Sequence, residues 1–373
     1  MVNKERLLGS FMKMVEVASI SGQEGTFRDL LKAEFTLLGL SSQEDDAGKI
    51  LGGDSGNLLV KMPGTVAKPA LLLAAHMDTV VPGTNIKPVC GNDDIIRSEG
   101  NTILGSDDKA GIAAILEAVQ VIREEGLNHP PLELLFTVSE EQGLLGIKNF
   151  DFSRLESRYG YVLDSGGAPG TIVIQSPCQN EIEYRVLGKA AHAGINPEDG
   201  INAIQVMAKA LAVMPCGRID DDTTCNFGII EGGMARNIVA ENCRVKGEVR
   251  SLNRSKLEQL TTELLNVFER EVDKNGGISA ADVVLLYPET TLKPDEEVVT
   301  LAVKAVNNLG IQSQLLSTGG GSDASIINGN NIRCANLGIG MNAVHTSDEF
   351  IRVEDLVNDA RLVLSIIEEA ARL

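Results

Sequence analysis

Leu132-Glu133-Leu134-Leu135-Phe136 is a short apolar run that leads into Thr137-Val138-Ser139-Glu140-Glu141-Gln142-Gly143. A run of this kind reads as a buried strand. Two adjacent carboxylates at its end are costly if they are dry and unpaired. Either a cation sits beside them or the pair lies in a solvated turn before a helix. The dipeptide alone favours the turn. The balance changes because other buried strands in the chain end in the same way.

Ala70-Leu71-Leu72-Leu73-Ala74-Ala75 reads as a second buried strand, closed by His76-Met77-Asp78. The His-x-Asp pattern fits a ligating imidazole with a carboxylate at hand to orient it. Leu104-Gly105-Ser106-Asp107-Asp108-Lys109-Ala110-Gly111 precedes an Ala-rich helix from Ile112 to Glu125. Its Asp serves either as an N-cap or as a metal ligand. Tyr159-Gly160-Tyr161-Val162-Leu163 is a strand ending at Asp164, before a glycine turn. Ile332 to Leu337 is another strand, followed by His345-Thr346-Ser347-Asp348-Glu349. His129, ahead of Pro130-Pro131, reads as a loop residue.

Strands alternating with helices predict an open α/β sheet, whose sites lie in the crevice at the strand C-termini. His76, Asp107, Glu140, Glu141, Asp164 and His345 all follow expected strands. Two imidazoles and this many carboxylates repel, or stay protonated, unless a cation joins them. Two divalent ions sharing one carboxylate answer that requirement. The nitrogen and oxygen donor set suits two Zn2+, with Mn2+ or Co2+ as alternatives. Such a pair polarises a carbonyl and acidifies water, and hydrolysis then needs a base that is not itself a ligand. One of the two adjacent glutamates fits that role.

The rhythm changes in the middle of the chain. Asn180 to Lys189 alternates as a strand, Ile201 to Met214 reads as a helix, and Thr223 to Ile230 and Glu241 to Leu252 as strands. Ser255 to Asn275 reads as a long helix and Ala281 to Tyr287 as a last strand. This is the β-α-β-β-α-β order of a ferredoxin-like unit. The expected organisation is one domain over residues 1–177 and 291–373, with a second, residues 178–290, inserted into it. At the N-terminus, residues 4–18 read as an amphipathic helix. Ser21-Gly22-Gln23-Glu24 reads as a capping box opening a second helix, and residues 79–100 as loop. The glycine run before Ser322-Asp323 lacks the Lys of a phosphate-binding loop.

A chain of 373 residues is long enough for two domains. Lys+Arg 33 against Asp+Glu 52 gives a formal charge of −19, which argues against nucleic acid or an anionic membrane surface as partner. Six cysteines with no Cys-x-x-Cys spacing fit neither a zinc ribbon nor a disulfide framework, and point to a reducing cytoplasm. The first nineteen residues alternate charged and apolar groups, unlike a secretory signal. No apolar run approaches the ~20 residues needed to span a bilayer.

His76-Met77-Asp78, Gly105 to Gly111, Glu140-Glu141, Asp164, Gly188-Lys189-Ala190-Ala191-His192-Ala193-Gly194 and His345 to Glu349 together resemble the motifs of the co-catalytic zinc peptidase family. That family includes peptidase T, glutamate carboxypeptidase and aminoacylase. The match runs in order over nearly the whole chain. Its Gly-Ser-Asp-Asp-Lys-Ala-Gly and Leu-Asp-Ser-Gly-Gly forms most resemble peptidase T and its relatives. The resemblance implies a mixed-sheet α/β catalytic domain carrying an inserted ferredoxin-like lid. It implies His76 and Asp164 on one metal, Glu141 and His345 on the other, and Asp107 between them. It further implies that Asp78 orients His76, that Glu140 is the general base, and that His192 stabilises the oxyanion from the lid after domain closure. Asn237 and Arg250, both read as lying on lid strands, and Gly320 are the implied substrate contacts.

On this reading the chain is a cytoplasmic dinuclear aminopeptidase for short peptides, with a homodimer formed through the lid around Asn180 to Lys189 or its neighbouring helix. A carboxypeptidase or N-acyl amino acid amidohydrolase uses the same machinery. A non-catalytic metal- or peptide-binding homologue would keep the fold and lose the base, yet Glu140, Asp78 and all five expected ligands are present. The chain is shorter than a typical peptidase T, which bears on the loops that recognise a free amino group.

Overall fold

The computed structural model describes residues 1–373, and the backbone falls into two compact units. The first comprises Met1–Gln175, Thr291–Ser317 and Ser322–Leu373; the second comprises Ser176–Thr290 and Thr318–Gly321.

The first unit is built on a mixed nine-stranded sheet. In its middle, Leu132–Thr137, Leu71–His76, Tyr159–Ser165 and Arg333–Gly338 lie side by side and parallel. Leu58–Met62 runs antiparallel along Leu132–Thr137. Parallel strands covered on both faces read as unbroken apolar runs. Every residue of Leu71–His76 and of Leu132–Thr137 is buried. The register sets His76 opposite Thr137, so the central strands end level with one another. Glu133, the one charge inside its run, is satisfied by the Ser157 N–H at 2.9 Å, the Ser157 hydroxyl and Lys61. Helices Lys4–Glu16, Ser106–Glu125, Glu297–Asn308 and Val353–Ala370 share the same apolar core. Ser106–Glu125 is buried on almost every side, which accounts for its Ala and Ile content and its lack of a polar face.

Two expectations fail in this unit. Residues 79–100 are not all loop: Pro88–Cys90 and Ile95–Ser98 pair, and join Phe350–Arg352 and Met341–Asn342 in a second, four-stranded sheet. Strands of two to four residues carry too little alternation to register in sequence. The capping box does not form either. The helix is Gly25–Leu37, and Glu24 precedes it without making a side-chain cap. Gly22 takes φ +85°, a conformation only glycine adopts freely. The side chains of Ser21 and Glu24 bond elsewhere, as described below.

The second unit is a five-stranded antiparallel sheet in the order Gly217–Arg218, Thr223–Gly232, Asn242–Ser251, Cys178–Leu187, Ile278–Tyr287. Its four long strands and the helices Ala203–Leu211 and Arg254–Lys274 follow the ferredoxin-like βαββαβ order. Along Cys178–Leu187, Ile182, Tyr184 and Val186 face a core that includes Phe268, Leu264, Val249 and Met207, while Glu183 and Arg185 face outward. The Tyr184 ring packs edge-on against Phe268 and Phe227. Cys178–Leu187 is paired on both sides. It therefore has no free edge to offer a second subunit; the open edges are Ile278–Tyr287 and the part of Thr223–Gly232 that the two-residue Gly217–Arg218 leaves uncovered. No helix in the chain is long and apolar enough to cross a membrane.

Candidate metal centre

Four of the expected site residues sit where the parallel strands of the first unit run out. His76 is the last residue of its strand, and Asp164 the last but one of its own. Glu140 and Glu141 follow Thr137 by three and four residues. The other two arrive by different routes. Asp107 lies at the start of Ser106–Glu125 with extended rather than helical backbone (φ −84°, ψ 104°). His345 lies between the short strands Met341–Asn342 and Phe350–Arg352, with φ +63°. Neither follows a strand of the main sheet, contrary to the sequence reading.

The side chains converge all the same. His76 Nε2 is 3.0 Å from Asp107 Oδ1 and 3.8 Å from Asp164 Oδ1. His345 Nε2 is 2.8 Å from Glu141 Oε1 and 3.3 Å from Asp107 Oδ2. The two oxygens of Asp107 thus face two different imidazoles. Two other sets of three, His76–Asp107–Glu141 and His76–Asp108–Asp164, also bring their ligand atoms close together. We favour the pairing through Asp107. Asp108 Oδ2 already accepts the His76 backbone N–H at 3.1 Å, and its other oxygen lies against Gly111.

The charges of the cluster act strongly on one another. Burial alone would push the His76 imidazole down, but Asp107, Asp164 and Asp78 outweigh it and hold the ring well above its ordinary value. Asp107 and Glu141 raise His345 to about 10. In Asp107 the effect of burial is overcome by His345 and His76, and its carboxyl falls below the usual range. Burial pushes Asp164 up to about 7 and Glu140 well up, the latter aided by the charge of Asp164. The raised imidazoles and the lowered Asp107 mark a place that favours positive charge. Clustered imidazole nitrogens and carboxylate oxygens are the donors that divalent cations of the zinc type take, so the residues present fit such ions.

Asp78 does more than face His76. Its backbone carbonyl accepts from His76 Nδ1 at 2.9 Å, nearer than its carboxylate at 3.5 Å. The carboxylate instead accepts the N–H groups of Glu140 and Glu141 at 2.9 and 3.2 Å and the hydroxyl of Ser21 at 2.7 Å. Glu349, buried, plays a similar part beside Asp107. It accepts from the N–H groups of Leu104 and Gly105, both at 2.8 Å, from Ser106 Oγ at 2.6 Å and from Asp107 N–H at 3.2 Å. Thr137 Oγ1 donates to buried Asp323 at 2.5 Å. Sequence reading assigned no part in the metal centre to Glu349 or Asp323, and read Ser21 and Glu24 as a capping box. The available signal was position: Glu349 lies four residues beyond His345, and Ser21 and Glu24 flank a glycine that turns the chain.

The remaining expected residues belong to the second unit. His192 is exposed and forms a bridge with Ile238. Its Nδ1 accepts the Gly194 N–H at 3.2 Å, which places the proton of the neutral ring on Nε2. Asn237 lies in a turn rather than on a strand, and its carbonyl accepts the Ala193 N–H at 3.0 Å. Arg250 does lie on a strand. Its guanidinium holds Glu248 at 3.0 and 3.1 Å and reaches the carbonyl of Gly319 at 3.3 Å. Gly320 follows in that loop. At Gly321 a Cβ would run into the Tyr287 ring, so only glycine fits there.

The family model for peptidase family M20/M25/M40 matches residues 72–369. The Bacillus subtilis (strain 168) protein YqjE is 41% identical over 372 residues, covering 100% of both chains. The crystal structure of aminopeptidase PepT from Bacillus cereus ATCC 10987 superposes with a TM-score of 0.91 at 42% identity, covering 99% of each chain. That of a tripeptidase from Staphylococcus aureus subsp. aureus Mu50 superposes at 0.96 with 39% identity, covering 100% of each. With its family motifs and its full length both matched, this chain belongs to peptidase family M20/M25/M40 and is a peptide hydrolase.

Proposed function

We propose that the chain is a dinuclear zinc aminopeptidase that releases the N-terminal residue of tripeptides and similarly short peptides. The observation that carries this reading is Asp107, whose two oxygens face two separate imidazoles. In this assignment His76, Asp107 and Asp164 hold one ion, and His345, Asp107 and Glu141 hold the other, with Mn2+ or Co2+ as alternatives to Zn2+. Two divalent ions bound there would supply the charge that acidifies water and polarises the scissile carbonyl.

The chain's own residues perform the proton transfers. Glu140 is next to the ligand Glu141 but is left out of both ion sets. Its half-buried carboxyl, raised well above its ordinary value, is suited to take a proton from the attacking water and pass it to the leaving amine. Asp78 orients His76 and holds the Glu140–Glu141 backbone. His192, with its proton on Nε2, donates to the developing oxyanion. Asn237, Arg250 and Gly320 contact the peptide, Arg250 through its terminal carboxylate.

We assign the first unit as the catalytic domain and the second as a lid that also carries the dimer contact. Val283, Val284 and Leu285 on the exposed Ile278–Tyr287 edge support that contact. Six free thiols support a reducing, cytoplasmic setting. The test is hydrolysis of free and N-acetylated tripeptides by metal-loaded protein, with and without chelator. Chelator-sensitive release of the N-terminal residue from the free peptide alone is expected. Cleavage of the blocked peptide would mark an amidohydrolase instead, and intact tripeptides would end the aminopeptidase reading.

A further inference from the structure

Pairing along Leu132–Thr137 stops at Thr137, and the backbone N–H groups that follow need other partners. Four in succession find them on side chains. Val138 N–H donates to Asn57 Oδ1 at 3.1 Å and Ser139 N–H to Glu24 Oε1 at 3.0 Å. Glu140 and Glu141 N–H donate to Asp78, as above. The same Glu24 oxygen accepts the Ser139 hydroxyl at 3.3 Å and the Gly22 N–H at 3.0 Å. Asn57 Nδ2 donates to the Gly146 carbonyl at 2.9 Å and so ties down the exit of the turn.

Ser139 takes φ +51°. A residue with a Cβ in that region is strained and persists only where its surroundings over-determine it. Glu24 holds the Ser139 N–H and hydroxyl, and the Leu145 N–H its carbonyl at 3.1 Å. Glu24 is fully buried, and its second oxygen has no hydrogen-bond partner. A buried carboxylate with an unmet oxygen costs stability, and no helix cap or ion pair offsets that cost here. What the carboxylate does accomplish is to fix the residue immediately before Glu140.

We propose that Glu24 is a positioning residue for Glu140: by accepting the Ser139 N–H and hydroxyl, it keeps the turn in the one conformation that aims the base. The inference rests on the reading of Glu140 as general base. Released from Glu24, Ser139 would relax to negative φ and swing the carboxylate that follows. A misplacement of about 1 Å at a reacting group costs roughly 100-fold in rate.

Glu24→Gln, Glu24→Asp and Glu24→Ala separate the possibilities. Gln keeps an acceptor oxygen within reach of Ser139, whereas Asp withdraws it. For Asp and Ala, kcat is expected to fall roughly 100-fold with two metal equivalents retained and KM within about threefold of the parent. For Gln, kcat should stay within about tenfold. Should Glu24→Ala fail to fold, the Asp and Gln pair carries the comparison. Zinc-loaded crystals of Glu24→Asp should show the Glu140 carboxylate displaced. A parent-like kcat in Ala or Asp, a Gln variant as slow as Ala, or Glu140 unmoved in the crystal would each overturn the proposal. If the parent protein cleaves no peptide, the aminopeptidase reading falls separately, and the crystal still decides whether Glu24 positions Glu140.

Discussion

The two units bury different things. Every buried Asp, Glu, His and Lys of the chain lies in the first unit: Glu24, His76, Asp78, Asp107, Asp108, Lys109, Asp323, Glu349 and Asp359 among them. The second unit buries none. Its interior polar groups are neutral, and several pair with one another, Asn180 with Thr261 at 3.0 Å and Thr223 with Ser251 at 2.9 Å. Its charges lie outside, in pairs such as Arg185–Asp282 and Arg244–Glu231. The interior of the second unit can be explained by packing alone. The first cannot, because lone carboxyls in an apolar setting destabilise a fold unless they are paired or serve a task. The contrast shows where stability has been given up for chemistry.

The sharpest way to break that contrast is Glu140→Gln. If the buried acids serve catalysis, kcat should drop by about 10²–10⁴-fold with metal content unchanged; parent-like turnover would return Glu140 to the structural residues. Next is Phe268→Ala in the core of the second unit. It should cost about 3–5 kcal/mol in a urea melt while leaving the metal affinity of the folded protein untouched. Loss of metal binding there would mean that the second unit is not merely a packed scaffold. Glu349→Gln comes third. Removing the carboxylate that gathers the Leu104–Asp107 donors should weaken zinc binding about 10- to 100-fold by calorimetry.

The smallest effect is expected at Asp359, where neither carboxylate oxygen has a partner. Burial, with a contribution from Asp355, raises its carboxyl well above the ordinary value. The folded state therefore holds this proton more tightly than the unfolded chain. That contribution is fully present below the unfolded value, near pH 4, and is lost as pH rises through the folded value. Asp359→Asn should flatten this part of the stability profile. An unchanged slope would place the pH dependence elsewhere.

Much of this was legible in the sequence, for identifiable reasons. The runs Leu71–Ala75 and Leu132–Phe136 announced buried parallel strands, and the alternation of Ile182, Tyr184 and Val186 announced a sheet with one covered face. His76, Asp164 and Glu140–Glu141 were visible because each stands where a run ends. Asp107 and His345 were identified as candidates, but their settings were not. One opens a helix in extended backbone, and the other sits between strands of two and three residues. Ser21 and Glu24 were misread because a capping box and a carboxylate clamp use the same residue types at the same spacing. Only the tertiary partner, Ser139, tells them apart. Asn237 was placed on a strand that stops five residues earlier, at Gly232.

The account depends above all on the assignment of the imidazoles and carboxylates around Asp107 to two shared cations. Calorimetric titration of Zn2+ into chelator-treated protein tests this directly, with the parent, His345→Ala and Asp107→Asn in parallel. The account expects two equivalents in the parent, one tight equivalent in His345→Ala and weakened binding of both in Asp107→Asn. A parent that takes up no zinc, or a His345→Ala variant that still binds two equivalents with parent affinity, would contradict it.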